Sequence, residues 1–326
     1  REAESVRGLV EALRAFDYPR EKLDIKFAIE EDDAQTRAAL ARLGPLPGIE
    51  IVTAPPIGPR TKPKALNAAL PFARGTFAVV YDAEDRPEPD QLRKALDAFR
   101  LHGDDLACAQ ASLCIDNGRD SWLTRMFTAE YAGQFDVFLP GFARMKLPLP
   151  LGGSSNHFRT HILRAIGAWD AYNVTEDADL GLRLARFGYR SVTIESTTFE
   201  EAPARFSPWL KQRTRWLKGW LQTWLVHMRA PVTLWREIGP LGFVTLQFAI
   251  GGSVVAALVH PFFMLSLLVD AVQILRGSAA LDAASINGLL HDTTIICGYL
   301  SAIIIGWMGL AQRRLTSGIW VLAFIP

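Results

Sequence analysis

The chain has 326 residues, enough for roughly two domains of ordinary size. Its 35 Lys and Arg nearly balance 34 Asp and Glu, for a net charge of +1, and the basic residues form no single stripe, so there is no electrostatic case for a nucleic-acid partner. Three cysteines, Cys108, Cys114 and Cys297, supply neither a disulfide framework nor a metal-ligand spacing, and the soluble part reads as a domain of a reducing compartment.

The first element is a helix, with Val6, Leu9, Val10, Leu13 and Phe16 near the 3.6-residue period. No strand, signal peptide or initiator Met precedes it, so the chain reads as a fragment lacking at least a first strand. LDIKFAIEEDD (23–33) alternates as a strand does and ends in acids. AQTRAALARLG (34–44) predicts a helix stopped by Gly44 and Pro45, and GIEIVTA (48–54) a short strand. PPIGPRTKPK (55–64) reads as a rigid basic loop, and ALNAALPFARG (65–75) as a helix with an internal proline. TFAVVYDAED (76–85) is a nearly continuous apolar strand, the pattern of a parallel sheet interior. EPDQLRKALDAFRLHG (88–103) predicts a helix with Pro89 in its first turn, and DLACAQASLCI (105–115) another strand.

This alternation predicts an α/β, doubly wound sheet with helices on both faces. Ligands of such sheets sit at the carboxyl ends of the strands. Both acidic clusters, at 30–33 and 82–85, fall at such ends and can share one crevice. No G-x-G-x-x-G turn and no G-x-x-x-x-G-K-[ST] loop is present, which argues against a dinucleotide dehydrogenase or a P-loop NTPase.

Four stretches carry chemistry. Asp82, Glu84 and Asp85 repel one another unless a cation lies between them. They are either a solvated turn or ligands for magnesium or manganese, which take one or two carboxylates plus substrate phosphates. PLPLGGSSNHFRT (148–160) places Ser154, Ser155, Asn156 and His157 where they can line a pocket, or leaves His157 a hydrogen-bonded structural residue. NVTEDADLGLRLARFGYR (173–190) is a helix marked by Leu180, Leu182, Leu184 and Phe187 and closed by Gly188. Thr175 can cap it, with Glu176 and Asp177 in the first turn, where the dipole favours acids. Alternatively Asp177 is a general base. FSPWLKQRTRWLKGWLQTWLVHMR (206–229) spaces Trp209, Trp216, Trp220 and Trp224 at helical intervals among basic residues, the pattern of a helix lying on a membrane surface. In it, Gln212, Arg215 and Trp216 suit a substrate clamp: a flat ring for a sugar and a guanidinium for a diphosphate.

From Leu241 charges nearly vanish. Residues 241–269 contain no acid and no base apart from His260, and exceed the ~20 residues a span needs. They form one long helix or a helix broken near His260-Pro261. Residues 293–311 form a second run, and a third starts at Gly318. Asp270, Asp282 and Asp292 against Arg276 lie between the first two runs, whereas Lys211, Arg213, Arg215, Lys218, Arg229, Arg236, Arg313 and Arg314 flank them, which places the soluble domain in the cytoplasm. The expected division is a catalytic domain at 1–205, an interfacial helix region at 206–236 and membrane helices at 237–326.

Taken in order, IEEDD, DAED, TED and QRTRW, followed by membrane helices, resemble the family 2 glycosyltransferases, in particular the membrane-embedded, cellulose synthase-like branch. That family's pattern is D, D-x-D, T/E-D and Q-x-x-R-W. The resemblance implies a GT-A type nucleotide-sugar-binding domain followed by transmembrane helices. It implies Mg2+ or Mn2+ at Asp82, Glu84 and Asp85, with Glu84 where the family has its second Asp. The first family Asp falls among Glu31, Asp32 and Asp33, with Glu31 and Asp32 favoured. Lys64 and Asn67 would lie beside the nucleotide with Asp82, Gln212, Arg215 and Trp216. Asp177 would be the base, and Glu176, Ser154, Asn156 and His157 would line the substrate pocket. The implied reaction inverts an α-linked UDP-sugar, UDP-glucose by expectation, into a β-glycoside. The acceptor is a growing polysaccharide at the inner membrane, passed through the enzyme's own helices. The same motifs fit single transfer to a membrane lipid. A catalytically silent scaffold is disfavoured by the intact Asp177 and Gln212-Arg215-Trp216 set.

Overall fold

A computed structural model of the chain describes residues 5–44, 46–276 and 286–324. Helix α1 (Val6–Arg14) buries the apolar face its sequence predicts. Val6 and Val10 meet Ile29 and Leu40, while Leu9, Leu13 and Phe16 pack with Ile25, Phe27, Tyr81 and Leu92. Strands β1 (Ile25–Glu30) and β2 (Ile49–Ala54) pair in parallel as a two-stranded sheet, with α2 (Ala34–Arg42) between them in sequence.

The second sheet has five strands in the order β3-β6-β5-β7-β4: β3 (Phe77–Val80), β4 (Arg86–Pro87), β5 (Leu106–Ile115), β6 (Asn156–Arg159) and β7 (Arg190–Glu200). Only β5 and β7 pair in parallel; the β3-β6, β6-β5 and β7-β4 ladders are antiparallel. The expected parallel, doubly wound sheet is therefore corrected to a mixed one. The reason is β6, whose NHFR sequence has no apolar run to announce a strand, yet which inserts antiparallel between β3 and β5. The run 76–85 is likewise shorter than expected. β3 ends at Val80, because the Asp85 carboxylate accepts the Asp82 N–H at 2.6 Å and closes a turn.

Helices cover the sheet: α3 (Lys62–Ala69), α4 (Gln91–His102), α5 (Trp122–Ala132), α6 (Leu139–Arg144), α7 (Thr160–Ala165) and α8 (Glu176–Arg186). A π-helical turn, Gly133–Phe138, joins α5 to α6. Phe127, Phe135, Leu149, Phe158, Leu163 and Leu180 centre the main core.

The C-terminal third is helical: α9 (Phe206–His227), α10 (Pro231–Leu246), α11 (Gly252–Leu275) and α12 (Ile286–Gln312). Among the described residues one helix is long and apolar enough to cross a membrane, Pro231–Ser266, with mean hydropathy 1.9; Gly298–Gln312 is a shorter apolar helix. The multi-span expectation thus narrows to one candidate span. α11 runs through Pro261 without breaking; the irregularities are Gly239, at φ 71°, and a π-helical turn at Gln247–Gly251. The run at Gly318 is a 3₁₀ helix, Gly318–Phe324, whose Trp320 and Ala323 pack on Ala129 and Ala132. Asp282 lies outside the described residues. Arg313, expected as a flanking cation, instead pairs with Asp136 and donates to the Leu113 carbonyl at 2.8 Å. α12 thereby packs on the α/β part of the chain, and Gly309 lets it cross α5 closely: a Cβ there would lie 2.2 Å from the Ala132 carbonyl carbon.

Candidate active site

A cleft of about 1460 Å³ lies between the carboxyl ends of β1 and β3, the start of α3 and the side of α9. Asp32, Arg60, Lys62, Asp82, His157 and Arg215 all face it. The two acidic strand ends therefore share one crevice. Two cations between them answer the repulsion: Arg60 pairs with Asp32 at 2.6 Å, and Lys62 pairs with Asp82.

Lys62 is a site residue the motif reading passed over. α3 begins at Lys62, three residues earlier than its apolar pattern suggests, because Pro63 suits a first helical turn. That start aims Lys62 at the cleft, where its ammonium also donates to the Gly153 carbonyl at 2.6 Å. Lys64 turns inward instead, pairing with Glu30 at 2.7 Å and the Pro55 carbonyl at 2.9 Å. It braces α3 against the parallel pair. Asn67 gives both ends of its amide to the Trp169 backbone, at 2.7 and 3.2 Å. Glu31 is exposed and off the cleft, Asp33 caps α2 through the Thr36 N–H at 3.0 Å, and Asp32 remains at the mouth.

The carboxylates of the second turn differ from one another. Asp82 is partly exposed, and Glu84 is exposed. Asp85 is fully buried; one oxygen accepts the Asp82 N–H and the Ser154 hydroxyl, and burial, then the charge of Asp82, pushes its carboxyl up to about 7. Its second oxygen, Oδ1, is buried with no hydrogen-bond partner among the described residues. No group of three or more His, Cys, Asp or Glu among those residues is arranged to hold a metal by itself. The donor set fits a hard cation completed by phosphate oxygens rather than a closed protein cage. Glu200, at the end of β7, is a further acid the motifs do not mark; burial, then the charge of Asp85, pushes it up to about 8.

Helix α8 presents Asp177 and Glu176. Burial, then the charge of Glu176, raises the Asp177 carboxyl to about 7. Its Oδ1 accepts the Ala178 N–H at 2.8 Å, and its Oδ2 faces Gly153. Glu176 is also raised by burial, against the pull of Lys62 and Arg215. The expected Thr175 side-chain cap does not form. Its hydroxyl donates to Asn173 Oδ1 at 3.3 Å instead.

The 148–160 loop is mostly internal. His157 sits at the cleft floor with Nδ1 on the Ala109 carbonyl at 3.1 Å, and burial lowers its pKa to about 4, so the ring is neutral. Asn156 donates to the Gly152 carbonyl at 2.8 Å, and Ser155 to Thr198. Of the set, Ser154 touches the acidic turn directly.

On α9, Arg215 reaches the cleft, Trp216 packs against Phe127 with ring centroids 5.9 Å apart, and Gln212 buries an Oε1 without a partner among the described residues. The tryptophan stripe is corrected from lipid-facing to protein-facing: Trp209 and Trp216 join the main core, Trp220 and Trp224 a second cluster with Leu182 and Leu234. The outward face carries Phe206, Leu210, Leu217 and Leu225 together with Lys211, Thr214 and Lys218.

These carboxyls set the pH response of the fold. Asp85, Asp177 and Glu200 hold protons more tightly folded than unfolded, since their folded values stand at about 7, 7 and 8. Through these three groups the native state binds more protons than the unfolded chain between pH ~4 and 8, opposed below about 6.5 by the single neutral His157, so on balance stability falls as pH rises through that window. Thermal unfolding at pH 5.5 and 8.0 checks this; a Tm that rises with pH overturns it.

The cleft thus sets Asp32 and Asp82 against Arg60, Lys62 and Arg215, with the buried Asp85 behind the turn. The family described as "Glycosyl transferase family group 2" matches residues 78–309, and the chain belongs to it. Residues of the chain are 29% identical over 144 positions to a probable glucomannan 4-beta-mannosyltransferase of Arabidopsis thaliana, covering 44% of this chain and 26% of that protein. A beta-monoglucosyldiacylglycerol synthase of Synechocystis is 24% identical over 257 residues, covering 75% of this chain and 52% of the relative. The chain thus spans about a quarter to a half of the curated relatives it matches. Among solved structures, a mannosyltransferase from Pyrobaculum calidifontis in complex with GDP-Man and Mn2+ superposes with TM-score 0.59 at 19% identity, covering 98% of this chain and 82% of the other. That likeness shows a shared GT-A fold.

Proposed function

We propose that this chain is the catalytic part of an inverting hexosyltransferase that takes a nucleotide sugar as donor and builds a β-linked glycan at the cytoplasmic face of the inner membrane. One observation carries the reading: Asp177, raised to about 7, feels the charge of Lys62, and Lys62 pairs with Asp82 in the cleft that Arg215 also lines. Asp177 accepts the proton of an acceptor hydroxyl as its oxygen attacks the anomeric carbon. The bond to the diphosphate breaks on the opposite face, and the leaving group departs with its electron pair, unprotonated. Hence one carboxyl suffices, where hydrolases use two. Lys62 and Arg215 meet the charge that develops there, an interaction worth most in a dry site. Asp82 and Asp85, with Glu84 at the rim, would hold Mg2+ or Mn2+, which supplies further neutralisation of the diphosphate when bound. Trp216 braces the Arg215 segment against the core.

UDP-glucose is the expected donor, and the GDP-Man complex of the similar structure makes GDP-mannose the alternative arm. Two acceptors deserve comparison. Relatives that make glucomannan favour a polymer; the lipid glucosyltransferase, matching three quarters of this chain, favours single transfer to a membrane lipid. The candidate span after α9 supports an acceptor delivered at a bilayer. Membranes holding the full-length protein are incubated with Mn2+ and radiolabelled UDP-glucose or GDP-mannose. Polymeric product from either donor supports the first acceptor and a monoglycosylated lipid the second. No transfer from either donor overturns the reading.

A further inference from the structure

The residues of α9 that are buried are Gly219, Thr223 and His227, spaced by four and so on one helical face. Arg215 is the preceding member of the same stripe. All three buried positions dock on α8 or on the loop that leads into it. At Gly219 the α9 backbone rests on the α8 N-cap, since a Cβ there would lie 2.5 Å from Thr175 Oγ1. Thr223 Oγ1 accepts from Asn173 Nδ2 at 2.8 Å and lies 3.4 Å from Thr175 Oγ1. His227 Nδ1 faces the Arg186 guanidinium at 3.0 Å, so Nδ1 accepts, and Nε2–H donates to Asp179 Oδ1 at 2.9 Å. Asp179 is held from the other side by Arg183 at 2.7 Å, and Arg183 also ties down the Ile166 and Ala168 carbonyls. Asp177 thus lies between the two docking points, Thr175 and Asp179.

We infer that Thr223 and His227 are positioning residues, fixing how far Arg215 reaches over the cleft relative to Asp177. The inference rests on the glycosyltransferase reading for its chemistry and on contacts outside the cleft for its geometry. A displacement of about 1 Å at a reacting centre can cost about 100-fold in rate. His227→Leu and Thr223→Val are therefore expected to lower hexose transfer by about 10- to 100-fold and to weaken binding of Mn2+–UDP or Mn2+–GDP. His227→Gln, which keeps a donor toward Asp179, recovers part of both.

A double-mutant cycle with Arg215→Ala separates positioning from general loss of structure. In the Arg215→Ala background each of the two substitutions is expected to add little further loss, in rate and in nucleotide affinity alike. Equal fold-losses in both backgrounds, or no loss in either, overturn the inference. Thr223→Val supplies the test where His227→Leu does not fold. If the parent protein transfers no hexose, the functional reading falls, and the same cycle read on nucleotide affinity still decides this one.

Discussion

Asp177→Asn is expected to lower the rate of sugar transfer by about 10²- to 10⁴-fold, the contribution of a general base, while nucleotide binding changes little. The substitution is close to isosteric, and an amide oxygen still accepts the Ala178 N–H that Asp177 Oδ1 accepts now. What it removes is proton affinity. Burial and Glu176 raise Asp177 to about 7, which keeps the group basic enough to take a proton from a hydroxyl and still largely ionised just above neutrality. The sign follows: the base works deprotonated, so the rate rises with pH through about 7 and levels above it. The variant's residual rate lacks that rise. Single-turnover transfer measured from pH 5.5 to 8.5 in both proteins reads both effects; wild-type rates in the variant sink the assignment of the base.

Asp82→Asn is the second large effect, an expected loss of about 10²- to 10³-fold, comparable to removing one group that stabilises transition-state charge. Asp82 is the acid of the turn that both faces the cleft and holds Lys62. Its neighbours separate by environment. Asp85→Asn disturbs a buried turn, since that carboxyl accepts the Asp82 N–H and the Ser154 hydroxyl, so activity and stability fall together. Glu84→Gln touches an exposed residue and is expected to cost least in stability. Titrating activity against Mn2+ for the three variants distinguishes them. An unchanged Mn2+ requirement in Asp82→Asn removes that residue from the cation site.

Elements with a clean period were legible from sequence. α1, β1, β2, β5 and α8 stand where their apolar spacing puts them, because their apolar residues pack into the cores, those of β5 on both faces of its sheet. β6 was not legible: its polar NHFR sequence is strand only because β3 and β5 supply ladders on both sides. At the site, residue types were legible and facing was not. Lys62 and Lys64 are two residues apart on α3, so the helix start decides which one faces the cleft, and a motif does not encode that start. The tryptophans of α9 show the same limit on a larger scale. A stripe of aromatic rings at helical spacing looks identical whether it meets lipid or its own domain, since either partner removes it from water. His227 gave no sequence signal, because its partner Asp179 lies 48 residues away.

Lys62 has one more consequence. Its ammonium already holds Asp82, the carboxylate proposed for a divalent ion, so under that reading Lys62 is a competitor for the cation. In the proposed site a nucleotide diphosphate would give Lys62 a different partner and free Asp82 for the cation, with Lys62 left to pair with the phosphates. Each ligand thereby removes the obstacle to the other, and thermodynamic linkage makes the effect reciprocal. The free protein is expected to bind Mn2+ weakly by itself and much more tightly with UDP present, which keeps adventitious cations out of the resting site.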